Sequence, residues 1–228
     1  MLTTSIKAVL FDLDGTLLDT ARDLYPAMRH ALQTYRQPTL SFETFLPTIT
    51  LGTHHMICNA FNIASTDTQF EAIKQCFLTY YADHLATHTP YFPGIEALLH
   101  TLDKNNLPWG IVTNKPAQFS LPIIKARHLD QRARCIISGD TLTLRKPHPA
   151  PLLHACDLLQ IAPENTVYIG DAKTDIDAAN AANMPSIAVT YGYRDSADDP
   201  QTWQAHHVVE HPDAISTLLT TFEEEHAQ

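Results

Sequence analysis

Residues 6–11 (IKAVLF) form a short, mostly apolar run that stops abruptly at Asp12. An apolar run without alternation predicts a strand buried on both faces of a parallel sheet. The next stretch, roughly 20 to 88, shows no strand pattern. Leu24, Met28, Leu32 and Tyr35 recur at helical spacing, as do Ile57 and Phe61, and then Phe70, Ile73, Phe77, Leu78 and Tyr81. These positions predict helices. Pro26 is expected in or near a first helical turn, or at a kink. From residue 90 the rhythm changes. Helices are predicted from Pro93-Gly94 through Leu102, from Pro116 as a first helical residue, over Ala150 to Leu159, over Thr174 to Asn183 and from about residue 213. Strands predicted at 108–113, 135–138, 166–169, 186–190 and Val208-Val209 alternate with them. Such alternation means a parallel sheet with helices on both faces. The expected architecture is an α/β core of residues 1–17 and 90–228, interrupted by an all-helical insert at 18–89. Open parallel sheets bind ligands beyond the carboxyl ends of their strands. An insert that leaves and re-enters near the end of the first strand would cover that site.

Composition narrows the partners. The 228 residues carry 15 Lys and Arg against 25 Asp and Glu, a net charge of −10. So acidic a chain suits neither a nucleic-acid backbone nor an anionic membrane surface. No run approaches the roughly 18 apolar residues of a membrane span, and Ala8 to Phe11 is far too short for a signal-peptide core. Cys58, Cys76, Cys135 and Cys156 are widely spaced and form no CxxC. They are expected as reduced thiols in a cytoplasmic protein. Nothing in the sequence separates a monomer from a homodimer.

Four polar clusters carry the chemistry. The first is Asp12-Leu13-Asp14-Gly15-Thr16. In extended chain its two carboxylates face the same way. They repel unless a cation neutralises them. Mg²⁺ is the usual partner where a phosphate completes the oxygen shell. Gly15 allows a tight turn and close approach of a ligand. The second cluster, Thr113-Asn114-Lys115, offers a hydroxyl and free backbone N–H groups ahead of a helix, which suits an anion. In the third, Lys146-Pro147, the prolines at 147 and 149 stiffen a loop that could present Lys146 to phosphate. The fourth, Gly170-Asp171-Ala172-Lys173-Thr174-Asp175, puts Asp171 at a strand tip and Asp175 in a first helical turn. Alone, the first, second and fourth clusters read as well as a turn or a helix cap, and Lys146 reads more simply as an exposed loop lysine. Their order is the signal: a carboxylate pair, a hydroxyl, a lysine and a second pair, three of the four directly after predicted strands.

DLDGTLLDT at 12–20, TNKP at 113–116, KPHP at 146–149 and GDAKTD at 170–175 resemble the four motifs of the haloacid dehalogenase-like phosphatase superfamily. IVTNKP, KPHPAPLL and VTYGY at 189–193 resemble bacterial phosphoglycolate phosphatases. WGIVTNKP at 109–116 and DDPQTW…VVEHP at 198–212 also resemble the N-acetylmuramic acid 6-phosphate phosphatases. The resemblance implies a Rossmann-like parallel sheet core with an inserted helical cap, and a Mg²⁺-dependent phosphomonoester hydrolase acting on a small phosphorylated metabolite. It implies Asp12 as nucleophile, Asp14 as general acid and base, and Thr113 and Asn114 on the phosphoryl oxygens. Lys146 would offset charge. The Asp12 side chain, the Asp14 backbone carbonyl and Asp171 would hold the metal, with Asp175 steadying them. An acid at position 14 also argues against the halide-removing branch, which by resemblance lacks one there.

The cap is less explicit. Gly52, Thr53 and His54 form a candidate substrate-recognition turn, with helix capping as the equal alternative. Arg22, Arg29 or a protonated His54 could meet a substrate carboxylate. Lys74, the one lysine in 20–88, reads as a solvated helix face rather than the amine a phosphonate-cleaving enzyme needs. His84 and His88 have i, i+4 spacing, but no helical glutamate completes a zinc motif, and they read as surface residues. His206 and His207 are expected to be structural, Trp203 to pack a C-terminal turn, and Glu223-Glu224-Glu225 to end a solvated helix. A phosphosugar mutase, a receiver-like domain and a silent phosphate-binding protein are the competing classes. The cap's few cations, the large insert and the full catalytic set argue against each in turn.

Overall fold

A computed structural model of the chain describes residues 5–195 and 197–224. The chain begins with β1 (Ala8–Phe11), buried at every position because it lies between two neighbours in the sheet. Helices α1 (Ala21–Thr34), α2 (Phe42–Phe45), α3 (Gly52–Phe61) and α4 (Phe70–Asp83) follow. Then come α5 (Ile95–Lys104), β2 (Trp109–Val112), α6 (Ala117–Ala126), β3 (Ile136–Ile137) and α7 (Ala150–Leu159). The chain continues through β4 (Thr166–Gly170), α8 (Lys173–Ala181), β5 (Ser186–Val189), β6 (His207–Val209) and α9 (Pro212–Glu224).

The strands form a six-stranded sheet in the order β3-β2-β1-β4-β5-β6, with every pairing parallel. The chain works outward from β1 to β3, then crosses back to β4 on the other side of β1. That reversal makes the β1/β4 boundary a topological switch point, where doubly wound sheets open a crevice for ligands. Register brings the strand ends level, since Phe11 stands opposite both Ile111 and Ile169. The residues just beyond, at 12, 113 and 171, therefore emerge on one edge.

Alternate strand residues feed two apolar layers. Val9, Phe11, Ile111, Val167 and Ile169 join α5, α6 and α9 on one face. Leu10, Val112 and Tyr168 join α7 and α8 on the other. The helices at 21–83 pack on one another, chiefly α1 on α4, through contacts such as Tyr35 on Phe61 and His30 on Tyr80. Two chain crossings tie them to the sheet. Leu18 bridges Tyr91, and Asp19 N–H donates to the Pro90 carbonyl at 2.9 Å. The buried Asp23 carboxylate accepts from the His88 N–H at 2.8 Å and the Thr89 hydroxyl at 2.7 Å.

Pro26 lies inside α1, just past its first turn. One expectation needs correction: Pro116 is the flanking residue of α6, with extended ψ, rather than its first member. Helix α4 ends at Asp83; His84 and His88 are exposed, and His84 Nδ1 bonds the Tyr80 carbonyl oxygen. Helix α9 runs to Glu224, and Glu225 lies outside the described residues. His206 takes up the Ser186 N–H, and Trp203 is buried with its indole N–H on Asp198. All four cysteines are free thiols. Among the described residues no helix is long and apolar enough to cross a membrane.

Candidate active site

Asp12 follows β1 and is fixed by its N–H on the Ile169 carbonyl at 2.9 Å. Its side chain meets Lys146, whose Nζ lies 3.0 Å from Asp12 Oδ1 and 2.7 Å from Asp175 Oδ1. Lys146 is buried, not the exposed loop residue its sequence context allows. Its ammonium donates to the Val112 carbonyl at 2.9 Å, Tyr168 Oη at 2.6 Å and Asp175. Those bonds use all three of its protons, so the pairing with Asp12 is coulombic. Burial alone would lower the Lys146 pKa, but Asp12 and Asp175 reverse the effect and raise it. Lys146 is therefore a fixed positive charge.

The carboxylates are less comfortable. Burial, opposed by Lys146 and reinforced by Asp175 and Asp14, pushes the Asp12 pKa up to about 7. Burial, reinforced by Asp12 and Asp175, raises Asp171 well above the usual aspartate range. Asp171 is held by the Thr16 hydroxyl at 3.2 Å and the Tyr193 N–H at 2.7 Å. Asp175 accepts from Lys146 and from the Ala172 N–H. Oxygens of Asp12, Asp171 and Asp175 all lie within 4.8 Å of one another, and the buried Asp12 Oδ1 receives no hydrogen bond. Crowded, repelling oxygens with an unfilled acceptor fit a hard divalent cation such as Mg²⁺. The backbone leaves no slack. Gly15 has φ +78°, and a Cβ there would overlap the Asp171 carboxylate.

Asp14 points elsewhere. Its carboxylate takes the Thr20 hydroxyl and the Lys115 ammonium, with Nζ at 3.1 and 3.3 Å. Lys115 also lies over the ring of Tyr81 from α4, 4.8 Å from its centroid. Burial works to lower the Lys115 pKa; Asp14 and Tyr81 outweigh it and raise it. Thr113 is buried at the end of β2, its Oγ1 accepting the Lys115 N–H at 3.2 Å. Asn114 gives a side-chain N–H to the Lys146 carbonyl at 2.8 Å, so it also holds that loop.

The core residues singled out by the motifs thus converge, and the turn at 52–54 opens α3 on the solvent side. Gly52 and His54 are exposed and Thr53 half-exposed. The His54 ring stacks on Phe70, 5.1 Å between centroids. Phe70 opens the helix on which Tyr81 lies eleven residues later, about 16 Å along the axis. His54 is therefore held toward the far end of α4 from the residue that meets the core. Arg22 pairs with Asp19 and stacks on Phe42, and Arg29 lies over Tyr25. Lys74 pairs with Glu71.

The motifs assign no role to the Lys115 side chain, Tyr168, Thr20 or Tyr193. Lys115 sits inside a motif and could have been found by asking what neutralises Asp14. Tyr168 is identified only by contacts across the fold, and Tyr193, though it closes the VTYGY run, shows its role only there.

A six-stranded parallel sheet in this order, with buried carboxylates and a buried lysine at its switch point, defines a doubly wound hydrolase-type core. Residues 9–189 match the haloacid dehalogenase-like hydrolase family model. The chain belongs to that family and is a phosphatase. It is 42% identical over 206 residues to a phosphoglycolate phosphatase of Xanthomonas campestris pv. campestris (strain 8004), covering 90% of this chain and 93% of that one. It is 36% identical over 214 residues to the N-acetylmuramic acid 6-phosphate phosphatase of Pseudomonas aeruginosa PAO1, covering 94% and 95%. The crystal structure of a predicted phosphoglycolate phosphatase from Haemophilus somnus 129pt superposes with a TM-score of 0.85 at 26% identity, covering 94% of this chain and 98% of that one.

Proposed function

We propose that the protein hydrolyses a small phosphomonoester through a phosphorylated Asp12, with Mg²⁺ as cofactor. The observation that carries this reading is the buried Asp12 carboxylate, 3.0 Å from Lys146 and crowded within 4.8 Å of oxygens of Asp171 and Asp175. In the first step an Asp12 oxygen attacks phosphorus in line and the bond to the ester oxygen breaks. Asp14 gives its proton to the departing alkoxide. In the second step Asp14 takes a proton from water, the water oxygen bonds to phosphorus, and the bond from phosphorus to Asp12 breaks. Inorganic phosphate leaves and the Asp12 carboxylate is restored. Lys146 offsets the charge on Asp12 and the phosphoryl group. Thr113, Asn114 and the Gly15 turn contact the phosphoryl oxygens. The Asp12 and Asp171 side chains and the Asp14 carbonyl would hold Mg²⁺, with Asp175 bracing them through Lys146. When bound, the ion neutralises phosphoryl charge and orients the group for attack.

The same reading divides the chain into a catalytic core of 1–17 and 90–228 and a cap of 18–89. The cap excludes water and selects the substrate. 2-Phosphoglycolate is the first candidate, supported by the Xanthomonas relative. N-Acetylmuramic acid 6-phosphate is the second, supported by the Pseudomonas relative. Phosphate release from a panel of phosphomonoesters, with Mg²⁺ and with chelator, tests the reading. Activity that chelator abolishes is expected, and activity indifferent to chelator would remove the metal from the mechanism. The ratio of rates on the two named esters decides between them.

A further inference from the structure

We propose that Tyr193 is a positioning residue that couples the Asp171 side of the site to the root of the cap and, by doing so, keeps Thr20 on Asp14. The inference deepens the proposed hydrolase reading and rests on it for its kinetic arm only.

Tyr193 is buried in the loop after β5 and touches both halves of the molecule. Its backbone N–H donates to Asp171 Oδ2 at 2.7 Å. Its hydroxyl accepts the Ala21 N–H at 2.9 Å and donates to Asp19 Oδ1 at 2.8 Å. Its ring packs on Phe92, where the chain re-enters the core. The neighbouring Tyr191 hydroxyl donates to the Thr16 carbonyl at 3.2 Å. A Cβ at Gly192 would strike the Gly15 carbonyl and Asp171, so this loop is pressed directly onto the site.

The bond to Ala21 is the unusual one. Ala21 is the first residue of α1 and Thr20 its flanking residue. Thr20 has helical backbone angles, φ −71° and ψ −12°, so its hydroxyl does not cap the helix and goes to Asp14 instead. The Ala21 N–H has no acceptor within the helix, and Tyr193, 172 positions away in sequence, supplies one. Bonded at Asp19 and at Ala21, the tyrosine hydroxyl grips the chain on both sides of Thr20 and so fixes the residue that holds the acid.

Tyr193→Phe deletes only that hydroxyl. In the variant the chain at 19–21 loosens and the Thr20 hydroxyl is no longer held on Asp14. Two readouts follow. Amide exchange at Ala21 and its neighbours rises about fivefold or more, the scale of a lost cap, while exchange in β1 and β4 stays at the wild-type rate. The kinetic arm uses kcat/KM with Mg²⁺, which reports transfer to Asp12. It falls about tenfold or more for an alkyl phosphate, whose leaving group needs the acid, and by less than about threefold for p-nitrophenyl phosphate, whose leaving group does not. Thr20→Val gives the complementary result: the same split between esters, with Ala21 exchange unchanged. Wild-type exchange at Ala21 in Tyr193→Phe would overturn the proposal. So would equal losses on both esters, which mark a merely structural role. If the wild-type protein cleaves neither ester, the hydrolase reading fails, and the exchange arm alone decides the coupling of Tyr193 to α1.

Discussion

The Lys115 ammonium lies 3.1 Å from the Asp14 carboxylate, joining residues 101 positions apart, and both side chains are largely withdrawn from solvent. Breaking such a pair by removing one partner leaves a partly buried charge without compensation. Lys115→Met is expected to lower folding stability by about 2–3 kcal/mol, somewhat under the cost of breaking a fully buried pair because Asp14 retains some water contact. Urea unfolding measures it. Adding Asp14→Asn should restore part of the loss, and strict additivity in that cycle would show the pair to be uncoupled.

Lys146 is more deeply committed, with its side chain 1% exposed and two carboxylates within 3.0 Å. Lys146→Met should cost more than Lys115→Met, on the order of 3–5 kcal/mol, and should abolish turnover. Matching unfolding curves for the two variants would contradict the ranking.

Gly15→Ala tests the closeness of backbone and carboxylate. The positive φ strains any side chain there, and the new Cβ overlaps Asp171. A stability loss of about 1–3 kcal/mol is expected from the strain. Calorimetric titration should show Mg²⁺ affinity weakened by tenfold or more, on the order expected when a metal ligand is displaced.

The pH dependence has a definite sign. In the metal-free protein Asp12 titrates near 7, mainly through burial, against 3.8 for an ordinary aspartate. Asp171 is raised also, again chiefly by burial. The folded state thus holds protons the unfolded state has released. Stability from these groups is full below the unfolded pKa and is lost as pH rises through the folded one. Mg²⁺ must displace those protons to bind. The rise in melting temperature on adding Mg²⁺ should therefore be small at pH 5.5 and large at pH 7.5; equal rises would contradict the assignment.

Much of this was legible in the residues. The strands at 8–11, 109–112 and 166–170 are apolar because they lie inside the sheet, and Asp12, Thr113 and Asp171 follow them directly. Strand ends and chemistry coincide in sequence, so both could be read together. Lys146 follows no strand; only its motif singles it out, and its burial becomes visible only through Val112, Tyr168 and Asp175. The Lys115 pair and the Tyr193 contacts are long-range and leave no local pattern. The candidate turn at 52–54 resembles any exposed helix start, and the stacking of His54 on Phe70 carries no signature along the chain.

The central claim is that Asp12 becomes phosphorylated and is then freed by water. The direct test mixes enzyme and Mg²⁺ with a substrate labelled in its phosphoryl group, quenches in acid within one turnover and maps the label by peptide. The account predicts an acid-stable, hydroxylamine-labile label on the peptide containing Asp12, and none in Asp12→Asn. Label on any other residue, or substrate consumed at full rate by Asp12→Asn, would contradict it.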